Sequence, residues 1–88
     1  MTVTVILPTM LARLVGNERK QAIEGTTVEG VIDELLITHP QLRVHLFDEV
    51  GSLRPHVRCF HNDSGLSEPV GPVADGDTLT ILQAVSGG

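Results

Sequence analysis

The sequence predicts an α+β domain in which one helix packs on one face of a mixed sheet. Residues 2–7, 56–61 and 78–82 alternate apolar and polar side chains, which is the period of a half-buried strand. Residues 28–36 instead carry apolar side chains at the spacing of an amphipathic helix. Because 88 residues leave room for only one core, we expect a domain over 1–82 and a flexible tail over 83–88.

The composition excludes several classes of partner. Phe47 and Phe60 are the only aromatic residues, so the chain lacks platforms for base stacking. The net charge of -5 repels nucleic acid and anionic lipid, and favours a basic protein partner. The apolar N-terminal run stops at Pro8, too short for a signal peptide or a membrane span, and Cys59 stands alone. We therefore expect a cytoplasmic protein without disulfides, membrane contact or nucleic acid.

The first half of the chain is expected to give two strands and the main helix. Residues 2–7 are predicted to form the first strand and residues 18–24 an edge strand. Residues 8–16 between them could be a loop or a turn that closes a hairpin, and we interpret them as a loop. Thr26 and Glu29 have the spacing of a capping box, which predicts that the helix begins there. Pro40 disfavours helical backbone at His39, so the helix should end there.

The second half is expected to add at least two strands. Residues 41–53 favour a short helical turn and then a loop, whereas 56–61 predict a third strand that enters a turn at 62–65. Residues 66–73 are interpreted as irregular backbone with brief strand pairing. A tight turn at 75–77 precedes the last strand, 78–82. The inward positions of these elements predict a core of Val3, Val5, Val28, Val31, Ile32, Leu35, Val57, Cys59, Leu79 and Ile81.

No catalytic or metal-binding constellation is evident in the sequence. The four histidines lack paired-ligand spacing, and there is no glycine-rich phosphate loop, so we expect no metal, no bound cofactor and no enzyme activity. Cys59 and His61 share one strand face, an arrangement that could activate a thiolate. Cys59 also continues the inward set begun by Val57, and we favour the reading of a buried hydrophobe.

The end of the chain is its most informative feature. Val85, Ser86, Gly87 and Gly88 carry no charged side chain and little bulk. Such a tail can enter a narrow channel, with Gly87 giving steric access and the carboxylate of Gly88 as the reactive group. A carboxylate is a poor electrophile, so a separate enzyme must activate it, for example with ATP as an acyl adenylate.

The run from Asp75 to Gly88, together with Asn62-Asp63 after the third strand, resembles the ubiquitin-like sulfur carriers of the MoaD/ThiS superfamily. The opening strand, the capped helix and the length also fit, most closely the CysO-type branch. The resemblance implies a β-grasp fold and a thiocarboxylate at Gly88. It also implies an ATP-dependent E1-like activating enzyme, a sulfur-accepting biosynthetic enzyme and a hydrolase for the thiocarboxylate product. The acceptor pathway stays open among cysteine, thiamin, molybdopterin and other sulfur-containing metabolites.

Two other functions remain open for this chain. The same activated tail could form isopeptides with target lysines, as in a ubiquitin-like modifier, or the domain could be a non-covalent binding module.

The sheet face that the helix leaves uncovered is predicted to carry Arg58, Phe60 and Leu82. Arg58 and Phe60 alternate with the inward residues of their strand, and Leu82 follows an inward residue of the last strand. We expect them either to form a patch that docks the activating enzyme or to be isolated exposed residues of the kind common on antiparallel sheets.

Overall fold

The computed structural model describes residues 1–83, which form one five-stranded mixed sheet. The strands are β1 Thr2–Ile6, β2 Lys20–Glu24, β3 Val57–His61, β4 Ser64–Leu66 and β5 Thr78–Gln83. Their spatial order is β2-β1-β5-β3-β4, with β1 and β5 parallel and the other neighbours antiparallel. The predicted mixed sheet is confirmed, and the last strand of the chain lies at its centre.

The helical elements connect the strands. They are α1 Thr9–Ala12, a 3-10 turn Arg13–Val15, α2 Val28–Thr38, a 3-10 turn Pro40–Leu42 and α3 Arg43–Leu46. Among them α2 is the one long helix, and its five buried side chains join those of the strands in a single core. It ends at Thr38, before the His39-Pro40 pair, as predicted.

Every predicted core residue is buried, from 0% exposure at Val3 to 4% at Ile32. The predicted core omitted Leu36 of α2, Ile23 of β2 and several residues of the connections. These are Leu7, Leu11, Ala12, Ile23, Leu36, Leu42, Leu46 and Val73. The connections therefore close the core as much as they link strands.

Two local predictions are wrong. The segment 8–16, interpreted as loop, contains α1 and a 3-10 turn, because Ala12 donates its N–H to the Pro8 carbonyl and buries its side chain. The helix cap is Thr27 rather than Thr26: the Thr27 hydroxyl accepts a hydrogen bond from the Gly30 N–H at 3.0 Å. Glu29 instead accepts from the Gly71 N–H, so it holds a neighbouring loop and does not close a capping box.

The two ends of the sheet can be defined from the strand register. We call the end of the sheet at which β5 finishes the tail end. There Gln83 of β5 pairs with Val57 of β3, and Ile6 of β1 pairs with Lys20 of β2. At the opposite end, named the far end, β5 begins at Thr78. The far end also holds the start of β1, the close of β2 and the turn between β3 and β4.

Candidate functional site

The candidate tail leaves the centre of the sheet. β5 pairs with β1 on one side and β3 on the other, and its side chains Leu79 and Ile81 are 0% and 3% exposed. The strand continues through Gln83, one residue past the predicted boundary of the domain. The predicted site residues Val85, Ser86, Gly87 and Gly88 lie outside the described residues. What the structure defines is their origin, which is a strand fixed by hydrogen bonds on both edges.

The predicted patch residues share the sheet face opposite α2. Arg58 pairs directly with Leu82, which is 45% exposed, and Phe60 lies one pleat further along β3 beside Thr80. The inward neighbours Val57, Cys59 and Ile81 are buried with α2, so the patch residues point away from it.

Phe60 is only half-buried because its ring lies against the β4 backbone. A Cβ placed on Gly65 would be 3.4 Å from its Cε2, which is van der Waals contact, so the ring packs directly over this part of β4. Across the sheet, Ile6 of β1 pairs with Thr80 and extends the apolar surface toward β1. Sequence analysis missed Ile6, since only the parallel pairing of β1 with β5 brings it beside the patch.

Cys59 is a buried thiol and not an activated nucleophile. It is 2% exposed, and burial raises its pKa to about 11, so it is protonated at neutral pH. His61 lies two residues further along β3, but its Nε2 contacts Asp77 Oδ2 at 2.7 Å. The favoured reading of Cys59 as a core hydrophobe is confirmed by its burial.

A cleft lies on the α2 side of the sheet, opposite the face that carries the patch. It measures about 630 Å³ and lies between α2, the loop at 51–53 and the loop at 67–70. Glu29, Asp33 and Glu68 line it together with the apolar Ile32 and Phe47.

Within residues 1–83, no three histidine, cysteine or acidic side chains come together as metal ligands. No helix in the same part of the chain is long and apolar enough to cross a membrane.

Comparison with known proteins places this site in a family. The family model of the ThiS family matches residues 5–88, which includes the tail. The chain belongs to the ThiS family. It is 34% identical over 93 aligned residues to the sulfur carrier protein CysO of Mycobacterium tuberculosis strain H37Rv, and the alignment covers all of both chains.

Solved structures confirm the predicted β-grasp fold of this ThiS-family chain. The structure of the BexX/CysO complex of Amycolatopsis orientalis contains a chain 36% identical to it, with a TM-score of 0.85 and coverage of 98% and 99%. The structure of SAMP1, small archaeal modifier protein 1, from Haloferax volcanii is 27% identical, with a TM-score of 0.87 and full coverage of both chains. The same architecture therefore occurs in proteins named as sulfur carriers and as modifiers.

Proposed function

We propose that this ThiS-family chain is a sulfur carrier whose C-terminal Gly88 is adenylated and then converted to a thiocarboxylate. The observation that carries the proposal is the position of Gly87 and Gly88, four and five residues beyond the central strand β5, in a chain that aligns over its full length with CysO. A strand paired on both edges fixes where the tail starts. The small, uncharged side chains that follow in the sequence are suited to entering the active site of another protein.

The proposed chemistry requires two displacement steps. The Gly88 carboxylate attacks the α-phosphorus of ATP and pyrophosphate leaves, which gives an acyl adenylate. A sulfide-level nucleophile then attacks the carbonyl carbon, AMP leaves and a thiocarboxylate remains. Both steps belong to the activating enzyme; the carrier contributes the carboxylate and a body that can be recognised.

Docking of the E1-like activating enzyme is proposed to use Arg58, Phe60 and Leu82. These residues share the sheet face that α2 leaves uncovered, and Leu82 is the penultimate residue of β5. An exposed apolar side chain next to the tail origin suits a partner whose active site must receive the tail. The thiocarboxylate form would then meet a sulfur-accepting biosynthetic enzyme and a hydrolase that acts on its product. ATP is used by the activating enzyme rather than bound by the carrier.

The proposal is tested by labelling the native protein with a thiol-reactive reagent after incubation with the activating enzyme, ATP and a sulfide source. Because Cys59 is buried and protonated, native labelling should fall on the thiocarboxylate alone. A Cys59→Ala variant removes the remaining thiol and serves as the matched control. Labelling of that variant that depends on ATP, with the label found on the C-terminal peptide, supports the proposal. A C-terminal peptide that never takes up label contradicts it.

A modifier function is the second candidate, favoured by the high structural similarity to a small archaeal modifier protein. In that case the activated carbonyl of Gly88 would be attacked by a lysine amine of a target, and an isopeptide bond would form. The discriminating measurement is mass spectrometry of protein digests from the native cells. Lysines carrying the C-terminal residues of this chain support the modifier, whereas a thiocarboxylate without such adducts supports the carrier.

A further inference from the structure

The basic residues of the chain converge on the tail end, although they are spread from position 13 to position 58. Lys20 pairs with Ile6 where β1 ends, and Arg58 pairs with Leu82 near the close of β5. The others lie in the connections that meet at this end, where Gln41 donates a hydrogen bond to the Leu14 carbonyl at 3.0 Å. The set comprises Arg13, Arg19, Lys20, Arg43, Arg54 and Arg58, which are all the lysines and arginines of the sequence.

None of these cations forms an ion pair with a carboxylate among residues 1–83. The ion pairs in that part of the chain join the N-terminal amine to Glu24 and His61 to Asp77, and both lie at the far end. The cations of the tail end are therefore available to another molecule.

Three of the arginines are held in place by backbone carbonyls. Arg19 Nε donates to the Leu7 carbonyl at 3.1 Å, and Arg54 Nε donates to the Val44 carbonyl at 2.7 Å. Arg58 Nη1 donates to a third carbonyl at 3.3 Å. A guanidinium has five N–H donors, so each keeps further donors after this contact. Fixing the side chain beforehand lowers the entropy lost when a carboxylate binds.

Exposed apolar side chains lie among the cations. Met10, Leu14, Val44 and Leu82 are 66%, 41%, 64% and 45% exposed, and all belong to elements that meet at the tail end. Arginine and methionine next to exposed aliphatic residues is a composition typical of protein interfaces. Nucleic-acid surfaces combine cations with aromatic platforms, whereas this sequence has only two phenylalanines and no tryptophan or tyrosine.

We propose that the tail end docks onto an acidic protein surface that surrounds the tail-binding channel of the activating enzyme. This inference rests on the proposed function, and it adds the sign of the partner's charge. Glu18 lies beside Arg19, but seven other carboxylates lie at the far end or along the cleft, namely Glu24, Asp63, Asp75, Asp77, Glu29, Asp33 and Glu68. The domain is therefore polarised, and an acidic partner attracts the tail end first. The net charge of -5 indicated a basic partner, but the distribution of charge indicates the opposite at this end.

The test compares two double variants with the same change in net charge. Arg13→Gln with Arg43→Gln removes two exposed cations that make no side-chain hydrogen bond or ion pair within residues 1–83. Thr26→Asp with Ser64→Asp adds two charges at the far end, just after β2 closes and where β4 begins. The measurement is the KM for the carrier in ATP–pyrophosphate exchange catalysed by the activating enzyme, with circular dichroism to verify folding.

The arginine variant should raise KM roughly tenfold at low salt, from up to about 1 kcal/mol for each interfacial charge pair. The difference should shrink at high ionic strength, because exposed charges are screened. The variant with Thr26→Asp and Ser64→Asp should change KM less than about twofold. Equal effects of the two variants, or an effect that persists in high salt, would overturn the proposal.

A failure of the proposed function is distinguished by the wild-type protein, which would then give no exchange. The tail end is tested without that chemistry by a nuclear magnetic resonance titration with a synthetic helical peptide of glutamate and leucine. Shifts confined to amides of α1, α3 and the start of β3 support the inference. Absent shifts, or larger ones with single-stranded DNA or anionic vesicles at equal charge concentration, overturn it.

Discussion

The two ends of the sheet use charge in different ways. At the far end, Asp75 Oδ1 accepts a hydrogen bond from the Thr2 N–H at 2.7 Å, and Asp77 Oδ2 accepts one from the Ala74 N–H at 2.8 Å. Asn62 joins the β3–β4 turn to β5, because its Oδ1 accepts from the Thr78 N–H at 2.9 Å. At the tail end, by contrast, three arginines donate hydrogen bonds to backbone carbonyls, and no lysine or arginine forms an ion pair within residues 1–83.

This difference separates stability from recognition. A carboxylate that accepts backbone N–H bonds fixes a turn and contributes to folding. An exposed cation without an internal partner contributes little to folding and remains available for binding. Substitutions at the far end should therefore change the free energy of unfolding. Substitutions at the tail end should instead change the affinity for the partner protein.

The largest effect is expected at the tail itself. Deleting Gly88, or replacing Gly87 by Trp, should abolish adenylation, since the first removes the reacting residue and the second blocks a narrow channel. The sequence predicts neither residue to be in the core, so the denaturation midpoint should stay at the wild-type value. The measurement is ATP–pyrophosphate exchange beside chemical denaturation. Wild-type exchange by the Gly88 deletion would refute the assignment of the reactive group.

The next effect lies in the core that both ends share. Leu35→Ala removes a fully buried side chain of α2 and should cost about 2 to 5 kcal/mol in the free energy of unfolding. Both ends should lose stability together, because one core supports them. Leu82→Ala, at a side chain 45% exposed, is the matched control and should cost much less. Similar midpoints for the two variants would show that the inward face of α2 is misassigned.

The sequence predicted the elements with long periodic patterns. The strands at 57–61 and 78–83 and the five-residue stripe of α2 were predictable because each buries one face, which leaves a regular spacing of apolar residues. Helix α1 has four residues, too few to show a helical period. The cap was misplaced because Thr26 and Thr27 are adjacent, and only the structure shows which hydroxyl meets an N–H.

The site was predictable in part for a similar reason. Alternation along β3 was enough to place Arg58 and Phe60 on one face, and the tail is visible in the sequence itself. Ile6 and the convergence of the cations depend on the pairing of β1 with β5, which joins residues more than seventy positions apart. Locating each basic residue relative to the strand ends of a β-grasp sheet would have revealed the cluster.

A moderate effect on binding is expected at the uncovered face. Phe60→Ser with Leu82→Ser should raise the KM for the activating enzyme roughly tenfold or more, as for apolar side chains at the centre of an interface. Val50→Ser, at a side chain 85% exposed in the loop beside the cleft, controls for a general loss of apolar surface. Circular dichroism verifies folding. A KM unchanged by the double variant would exclude this face from the interface and leave the tail and the basic residues to account for docking.

The smallest effect is expected at the far end, where it should depend on pH. The Asp77 side chain accepts the Ala74 N–H and contacts His61, and these contacts hold the pKa of the Asp77 carboxyl below its ordinary value. A carboxyl whose pKa is lower in the folded protein contributes stability above its unfolded pKa of about 3.9. That contribution is lost as the pH falls through the lower, folded pKa.

Asp77→Asn removes the charge and nearly preserves the shape, so it tests this contribution directly. At neutral pH the variant should have a lower denaturation midpoint than the wild type, and the gap should narrow as the pH falls below about 4. Asp33→Asn alters an exposed carboxylate that has no hydrogen bond within residues 1–83, and it should leave the midpoint almost unchanged. Adenylation kinetics should be unaffected by Asp77→Asn, because the far end is opposite the end of the sheet at which β5 finishes. If the difference in denaturation midpoint between the variant and the wild type does not change with pH, Asp77 stabilises the fold by its shape rather than by its charge. Altered adenylation kinetics would show that the far end also affects recognition by the activating enzyme.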